Sequence, residues 1–518
     1  MTGRRSLKPP AEPPFAGKRP RAAQCLSLWA AFVLAIWPLQ PVQPALAGPR
    51  GIPALKSKIA RHLNNSCLRR GRIGIRALSL GSRRLLYDLR GEELFIPASN
   101  LKLLTTAAAF YYLKPDFHFK TEVSYKGRLS SGRLAGNLYL KGFGDPSLVT
   151  EELWVLVRTL KRRGVRRVRG DLVVDDSYFD REQLVPGTGS GQGLRAYQAP
   201  HGAASLNFNT FKLYVEPSPV VGRPPRAVVD PDSPYVQLIN KAKTVGRRSK
   251  STLQVQRGSH ADGDRIVLEG RLRAGSRPRP RRISITAPAL YLGHTFREFL
   301  RSQGITVSGR VRRGRTPPDA PNLVRHLSKP LSVVLWGLNK WSNNFIAEQV
   351  LKTLGAELLG APGTRQKGIA VVQRYMKRLG YRPDTFVVAD GSGLSRRSRV
   401  SPAQFVTVLS DMYSDFRFRP EFVASLPVMG VDGSVKDRLD GTPAERRIRA
   451  KTGTLKRVDS LSGYAFSLDG DIIAFSVLMN GSRCPHWKMR QIQDRITLEL
   501  VRLDRRSVAQ RKTGEKVR

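Results

Sequence analysis

The stretch IPASNLKLLTT, residues 96–106, sets a serine at 99 and a lysine at 102, with a run of helix formers behind them. Residues at i and i+3 share one face of a helix, so Ser99 Oγ and Lys102 Nζ come within reach of each other: a nucleophile beside a base. Pro97, followed by Leu101, Leu103, Leu104 and Ala107 to Ala109, predicts a helix that starts here and drives its apolar side into a core. Ser99 then stands where the helix dipole and free N–H groups are positive. Taken alone, such a pair is more often a capping serine next to a solvated lysine. The chain holds no other S-x-x-K, and the reading turns on what surrounds this one.

The 518 residues, 40% of them hydrophobic, suffice for two or three domains and a sizeable core. A formal charge of +49 calls for an anionic environment or partner: nucleic acid, a membrane surface or an acidic polymer. The N-terminus narrows that choice. Basic residues (Arg4, Arg5, Lys18, Arg19, Arg21) lead into CLSLWAAFVLAIWPL, residues 25–39, and then to Ala45-Leu46-Ala47 before Gly48. This pattern reads as a secretory signal over 1–47, cut after Ala47. Its apolar run is short of the roughly 20 residues that span a bilayer, a permanent anchor being the second reading. Export makes nucleic acid a poor partner and favours anionic polymers of the cell envelope. Lysines and arginines that serve solubility alone give the same composition. Once Cys25 leaves with the signal, Cys67 and Cys484 remain, two thiols that an oxidising compartment can join.

Strand patterns place those two cysteines. IGIRALSL (73–80), a turn at Gly81-Ser82 and RRLLYDL (83–89) predict a β-hairpin that leads directly to Ser99. SLSGYAFSL (460–468), a turn at Asp469-Gly470 and DIIAFSVLMN (471–480) predict a second. Hairpins from opposite ends of the chain can complete one antiparallel sheet with helices packed on it, an α+β domain spanning 48–115 and 323–504. Between these parts, 116–322 carries short strand-like pieces separated by Gly, Pro and Arg-rich turns, predicting one or two inserted β-rich domains. Residues 505–518 read as a basic tail.

Helical periodicity returns in LSVVLWGLNKWSNNFIAEQVLKTLG (331–355), with Ser342 and Asn344 at the N-terminal edge of an apolar stripe. Locally, Ser342 reads as an N-cap and Asn344 as a first-turn residue. A rival S-x-N, Ser205-Leu206-Asn207, lies in the inserted region. A third polar cluster, RIRAKTGTLKRVDSLSGYAF (447–466), puts Lys451, Thr452 and Gly453 on a strand-like run beside the second hairpin. The same triplet recurs as Lys512-Thr513-Gly514 in a polar basic segment that reads as solvated tail.

Ser99-x-x-Lys102, Ser342-x-Asn344 and Lys451-Thr452-Gly453, in this order, resemble the three motifs of penicillin-binding proteins and serine β-lactamases. The long separation of the first two resembles the class C low-molecular-mass penicillin-binding proteins, the D-alanyl-D-alanine carboxypeptidase/endopeptidases. FIPASNLKLLT, GFGDPSL, SNNFIAE, VVADGSGLSR, SLPVMGVDGS and AKTGTL resemble that family as well, over about residues 55–485. Ser398 departs from it, standing where an asparagine is expected. The resemblance implies a penicillin-binding/β-lactamase-like transpeptidase domain. It also implies peptidoglycan peptides and β-lactams as ligands, and a Ser99 acyl-enzyme. Lys102 would take the serine proton, and burial together with the Lys451 ammonium would lower its pKa. Ser342 would relay a proton to the leaving amine, Asn344 would hold substrate or Lys102, and Lys451 with Thr452 would meet the terminal carboxylate. The backbone amides of Ser99 and Thr454 would form the oxyanion hole, Gly453 allowing the strand close. Asp145 would meet the substrate's amino group, or is an ordinary turn aspartate.

Other chemistries find little in the chain. Seven scattered histidines give no metal spacing and no G-x-S-x-G elbow exists, so neither metal nor cofactor is expected. GTGSGQGL (187–194) lacks the preceding strand of a dinucleotide site.

Overall fold

The computed structural model describes residues 51–186, 193–278 and 280–505. The expected signal segment, most of the glycine-rich run, the second Lys-Thr-Gly and the basic tail beyond Arg505 lie outside the described residues. Five strands form the central sheet: β1 (Arg72–Ser79), β2 (Leu85–Leu89), β3 (Ile448–Leu455), β4 (Val458–Phe466) and β5 (Ile472–Asn480). Their order is β3-β4-β5-β1-β2, every pairing antiparallel, so the two hairpins join where Ile75 faces Val477. β3 is an edge strand, and that leaves one side of it open to a cleft.

Side chains alternate across each strand, and both faces of the sheet are covered. Ala474 and Leu478 of β5 pack with the helix α1 (Lys102–Leu113) in one core. Ile473, Phe475 and Val477 face the other way, against Leu55 and Ile59 of Ile52–Leu63 and Met489, Ile492 and Ile496 of His486–Val501. The disulfide between Cys67 and Cys484 crosses this second layer, with Cα atoms 5.0 Å apart and a sequence separation of 417. α1 differs from the amphipathic expectation: every residue from Lys102 to Phe110 is buried. A helix buried all round is a central one, and this burial carries the polar Lys102 inside with its neighbours.

The helical periodicity over 331–355 belongs to two helices, α2 (Leu331–Trp341) and α3 (Asn344–Leu359). The intervening segment contributes none of the five strands. With the strand Asn322–Leu327 at its end it builds a seven-stranded sheet, of which Lys120–Ser130 and Arg133–Gly142 are the longest strands, and an apolar core of its own. It is fastened to α3: Gln349 Nε2 donates to Gly202 O at 2.8 Å, its Oε1 accepts from Gly202 N at 3.2 Å, and Lys352 donates to Asp180 at 2.5 Å. Among the described residues no helix is long and apolar enough to cross a membrane.

Candidate active site

The turn that presents Ser99 is held from the sheet. Asn480 Oδ1 accepts from Ile96 N at 2.7 Å, and its Nδ2 donates to Ile96 O at 3.1 Å. Ser460 Oγ of β4 donates to Pro97 O at 2.7 Å. Ala98 takes a positive φ of 48°, and a single 3-10 turn, Ala98–Leu101, runs into α1. Ser99 sits on that turn, half-buried. β3 comes close enough that a Cβ on Gly453 would lie 2.8 Å from Ser99 N and 2.9 Å from Pro97 O, nearer than any side chain can stand. Only glycine permits this approach.

Lys102 Nζ is fully buried, with Ser99 Oγ at 2.8 Å, Asn344 Oδ1 at 2.8 Å and Ser392 O at 2.7 Å. Two of these partners can only accept. A neutral amine has two N–H groups and one lone pair. It can therefore donate to Asn344 and Ser392 and turn its lone pair toward the Ser99 hydroxyl. Burial lowers its pKa to about 7, against the opposing pull of Asp390 and Glu348. Lys451, also buried, donates to Ser342 Oγ at 2.8 Å and to Thr452 O at 2.7 Å. Its pKa is pushed far down, first by burial and then by the Lys102 charge. The expected repulsion between the two amines is thus felt at Lys451, whereas the charges that act on Lys102 are the two acids.

Ser342 is not the N-cap of α3. Asn343 is, its Oδ1 accepting from Ile346 N at 3.2 Å. Ser342 occupies the break between the helices at a left-handed φ of 55°, a conformation that aims its hydroxyl at Lys451 instead of at a helix end. Asn344 opens α3, and its Nδ2 donates to Tyr197 O of the inserted segment at 3.4 Å. On β3, Ala450 N donates outward to Pro427 O at 3.0 Å. Backbone groups of an antiparallel strand alternate in direction, so the Thr452 and Thr454 amides face the same open side, toward Ser99. Thr452 Oγ1 lies 2.7 Å from Ser434 Oγ.

The structure therefore gathers Ser99, Lys102, Ser342, Asn344, Lys451, Thr452, Gly453 and Thr454 around one hydroxyl. Asp145 is not among them. It is buried in its turn, Oδ1 accepting from Ser147 N and Oγ at 2.8 and 2.7 Å while Oδ2 is buried without a hydrogen-bond partner, and the charges acting on it come from His326 and from Glu152 of the inserted segment. Ser205 and Asn207 are engaged within the inserted segment, Ser205 Oγ donating to Gly202 O in a local turn and Asn207 bonding Thr150. Ser398 accepts from Ala389 N at 3.1 Å and so holds the loop despite the missing asparagine.

Sequence reasoning left out the supports. Glu348 Oε1 accepts from Gly391 N at 3.0 Å and Ser392 N at 2.9 Å, while Asp390 accepts from Gly393 N at 2.9 Å and Ser395 N at 2.6 Å. Both acids are buried and their pKa values raised by burial, Glu348 to about 7. Together they fix the loop whose Ser392 carbonyl meets Lys102. Thr454 Oγ1 donates to Asp459 Oδ1 at 3.1 Å, and Asp459 Oδ2 lies 2.5 Å from His486 Nδ1. Acids inside SNNFIAE and VVADGSGLSR were visible, but nothing local showed that they fold inward.

A serine hydroxyl with a buried amine base, set between a central helix and the edge of an antiparallel sheet, defines a serine hydrolase of the penicillin-binding fold. The comparisons make this particular. The chain belongs to the D-Ala-D-Ala carboxypeptidase 3 (S13) family, which it matches over residues 55–501. A D-alanyl-D-alanine carboxypeptidase of an Actinomadura species is 35% identical over 473 residues, 88% of this chain and 87% of that protein. The D-alanyl-D-alanine carboxypeptidase DacB of Haemophilus influenzae is 28% identical over 411 residues, 79% of this chain and 85% of its own. The crystal structure of penicillin binding protein 4 from H. influenzae superposes with a TM-score of 0.74 at 26% identity. It covers 87% of this chain and 99% of that one, and the same protein has been solved with a β-lactam bound.

Proposed function

We propose that this carboxypeptidase acts on peptidoglycan stem peptides through an acyl-enzyme on Ser99, and that β-lactams acylate the same hydroxyl. The three-partner environment of Lys102 Nζ carries the proposal, because it offers a lone pair to Ser99 and holds the amine near the pH at which half of it is neutral. Lys102 takes the Ser99 proton as Oγ attacks the penultimate D-Ala carbonyl. The oxyanion draws on the amides of Ser99 and Thr454. As the C–N bond breaks, the proton that Lys102 took from Ser99 passes by way of Ser342 to the leaving D-Ala amine, which leaves Lys102 neutral again, and the Lys451 hydrogen bond holds the Ser342 hydroxyl in place. Thr452, paired with Ser434, supplies hydroxyls to the terminal carboxylate, and Asn344 orients Lys102 and the peptide backbone. Water then hydrolyses the ester with Lys102 again as base. We place the enzyme in the cell envelope after removal of 1–47, a segment that takes six basic residues and one acidic with it, so that a net charge of +44 remains to meet anionic polymers.

Digestion of purified muropeptides, read by mass, tests the substrate. Loss of one D-Ala from pentapeptides marks carboxypeptidase action, and cut dimers mark endopeptidase action. Fast nitrocefin turnover with intact muropeptides would make the chain a β-lactamase. Salt-sensitive wall binding without either product would make it a scaffold.

A further inference from the structure

Away from Ser99, where β3 begins, lies a second cavity of about 440 Å³ that shares no residue with the cluster above. Its nearest approach along the strand is Arg449, two positions before Lys451, a separation of about 7 Å. The volume falls within the range of small-molecule sites. Tyr413, Val423, Tyr464, Phe466 and Ile472 give it an apolar, largely aromatic floor. Arg419, Arg446, Arg447 and Arg449 surround that floor, and no acidic residue lines it. Arg446 pairs with Glu445 at 3.5 Å. The other three have no carboxylate partner among the described residues. Arg447 lies over Phe466 at 5.2 Å and Arg419 over Tyr413 at 5.0 Å, both spread on rings. Arg419 Nε is buried without a hydrogen-bond partner, which is costly unless something else fills the site.

We propose that this cavity takes the acyl chain of an anionic lipid at a bilayer surface, with the lipid phosphate held by Arg419, Arg447 and Arg449. The apolar floor matches a hydrocarbon chain and offers little to a polar peptide. Guanidinium groups match phosphate by paired N–H donors and are the weakly hydrated choice beside an apolar surface. The outward apolar residues favour a bilayer over a free amphiphile: Phe416, in the lining, is 78% exposed, and Phe466 and Leu468 at the neighbouring strand end are 39% and 36% exposed. Aromatic and cationic side chains together at a surface are the composition of interfacial membrane contacts. Occupancy would hold the sheet edge that bears Lys451 at a membrane. The inference stands on the cavity alone and does not depend on the chemistry at Ser99.

The test uses the full chain, calorimetric titration with monomeric dodecyl phosphate, and sedimentation with vesicles of phosphatidylglycerol or phosphatidylcholine. Ala424→Trp plugs the mouth at an exposed lining position without changing charge, and Arg447→Glu/Arg449→Glu removes the anion site. Dodecyl phosphate should bind at one site at least tenfold more tightly than inorganic phosphate or dodecyl maltoside. Each variant should lose at least tenfold of that affinity and of binding to phosphatidylglycerol vesicles, with penicillin labelling retained as the check on folding. Equal affinity for inorganic phosphate would reduce the site to surface charge. Unchanged dodecyl phosphate binding by Ala424→Trp would remove the cavity from the account. Unchanged vesicle binding by Ala424→Trp would remove the bilayer lipid.

Discussion

Gly453→Ala puts one methyl group at the closest approach in the site. The new Cβ would lie 2.8 Å from Ser99 N, 2.9 Å from Pro97 O and 2.3 Å from Ser460 Oγ. The serine hydroxyl can rotate away, losing its bond to Pro97 O, a matter of about 1 kcal/mol. The two backbone atoms cannot. Restoring an ordinary contact of about 3.5 Å requires β3 and the Ser99 turn to separate by roughly 0.7 Å. That displacement parts the two amides that must converge on one oxyanion. Losing an oxyanion donor costs about 10²–10³ in rate, and a misplacement near 1 Å costs about 10². The acylation rate constant with a fluorescent penicillin should therefore fall by about 10²–10³. Overpacking should lower stability by about 1–3 kcal/mol, leaving a folded protein. Gly258→Ala, where nothing lies within 4 Å, should match wild type in both measurements. Acylation by Gly453→Ala within tenfold of wild type would refute the argument that this strand and turn make the oxyanion hole.

The remaining expectations concern the amine and its supports. A base must be neutral, so acylation should rise about tenfold per pH unit below about 7 and level off above it, following Lys102; a flat profile from pH 5 to 9 would count against that base. In the unfolded chain the amine titrates near 10.4. Between the two values the unfolded state holds more protons, so Lys102 makes thermal stability increase as pH rises through that window. Glu348→Ala frees Gly391 N and Ser392 N and lets the Ser392 carbonyl drift from Lys102. Acylation should drop by about 10–100-fold, whereas Glu348→Gln, which keeps an accepting oxygen, should recover most of it; equal loss in both would point to the charge instead of the positioning.

The sheet was legible because its signal is local. Two alternating hairpins with Gly-containing turns carry their own pairing, and the disulfide between Cys67 and Cys484 fits the side-by-side placement of β1 and β5. The chemistry of Ser99 and Lys102 was legible for the same reason, since one helical turn joins them. Ser342 was legible only through the order of the three motifs, because taken locally a hydroxyl before an apolar stripe is what an N-cap looks like. Its left-handed backbone comes from two helices meeting at an angle that no window of sequence contains. Glu348 and Asp390 were missed because a buried carboxylate and a solvated one have the same letter; what tells them apart is the loop of backbone N–H groups that needs acceptors. Asp145 was offered both as a substrate contact and as a turn aspartate, and its two oxygens divide in the same way: Oδ1 is taken by Ser147 next door, whereas Oδ2 is buried without a hydrogen-bond partner.

The central claim is that a single hydroxyl, made nucleophilic by a buried neutral amine, becomes covalently acylated. Intact-mass spectrometry after incubation with a penicillin, followed by peptide mapping, addresses it directly. One acyl adduct on the peptide containing Ser99, absent in Ser99→Ala, is the predicted result; an adduct of equal occupancy in Ser99→Ala, or one mapped to another residue, would contradict it.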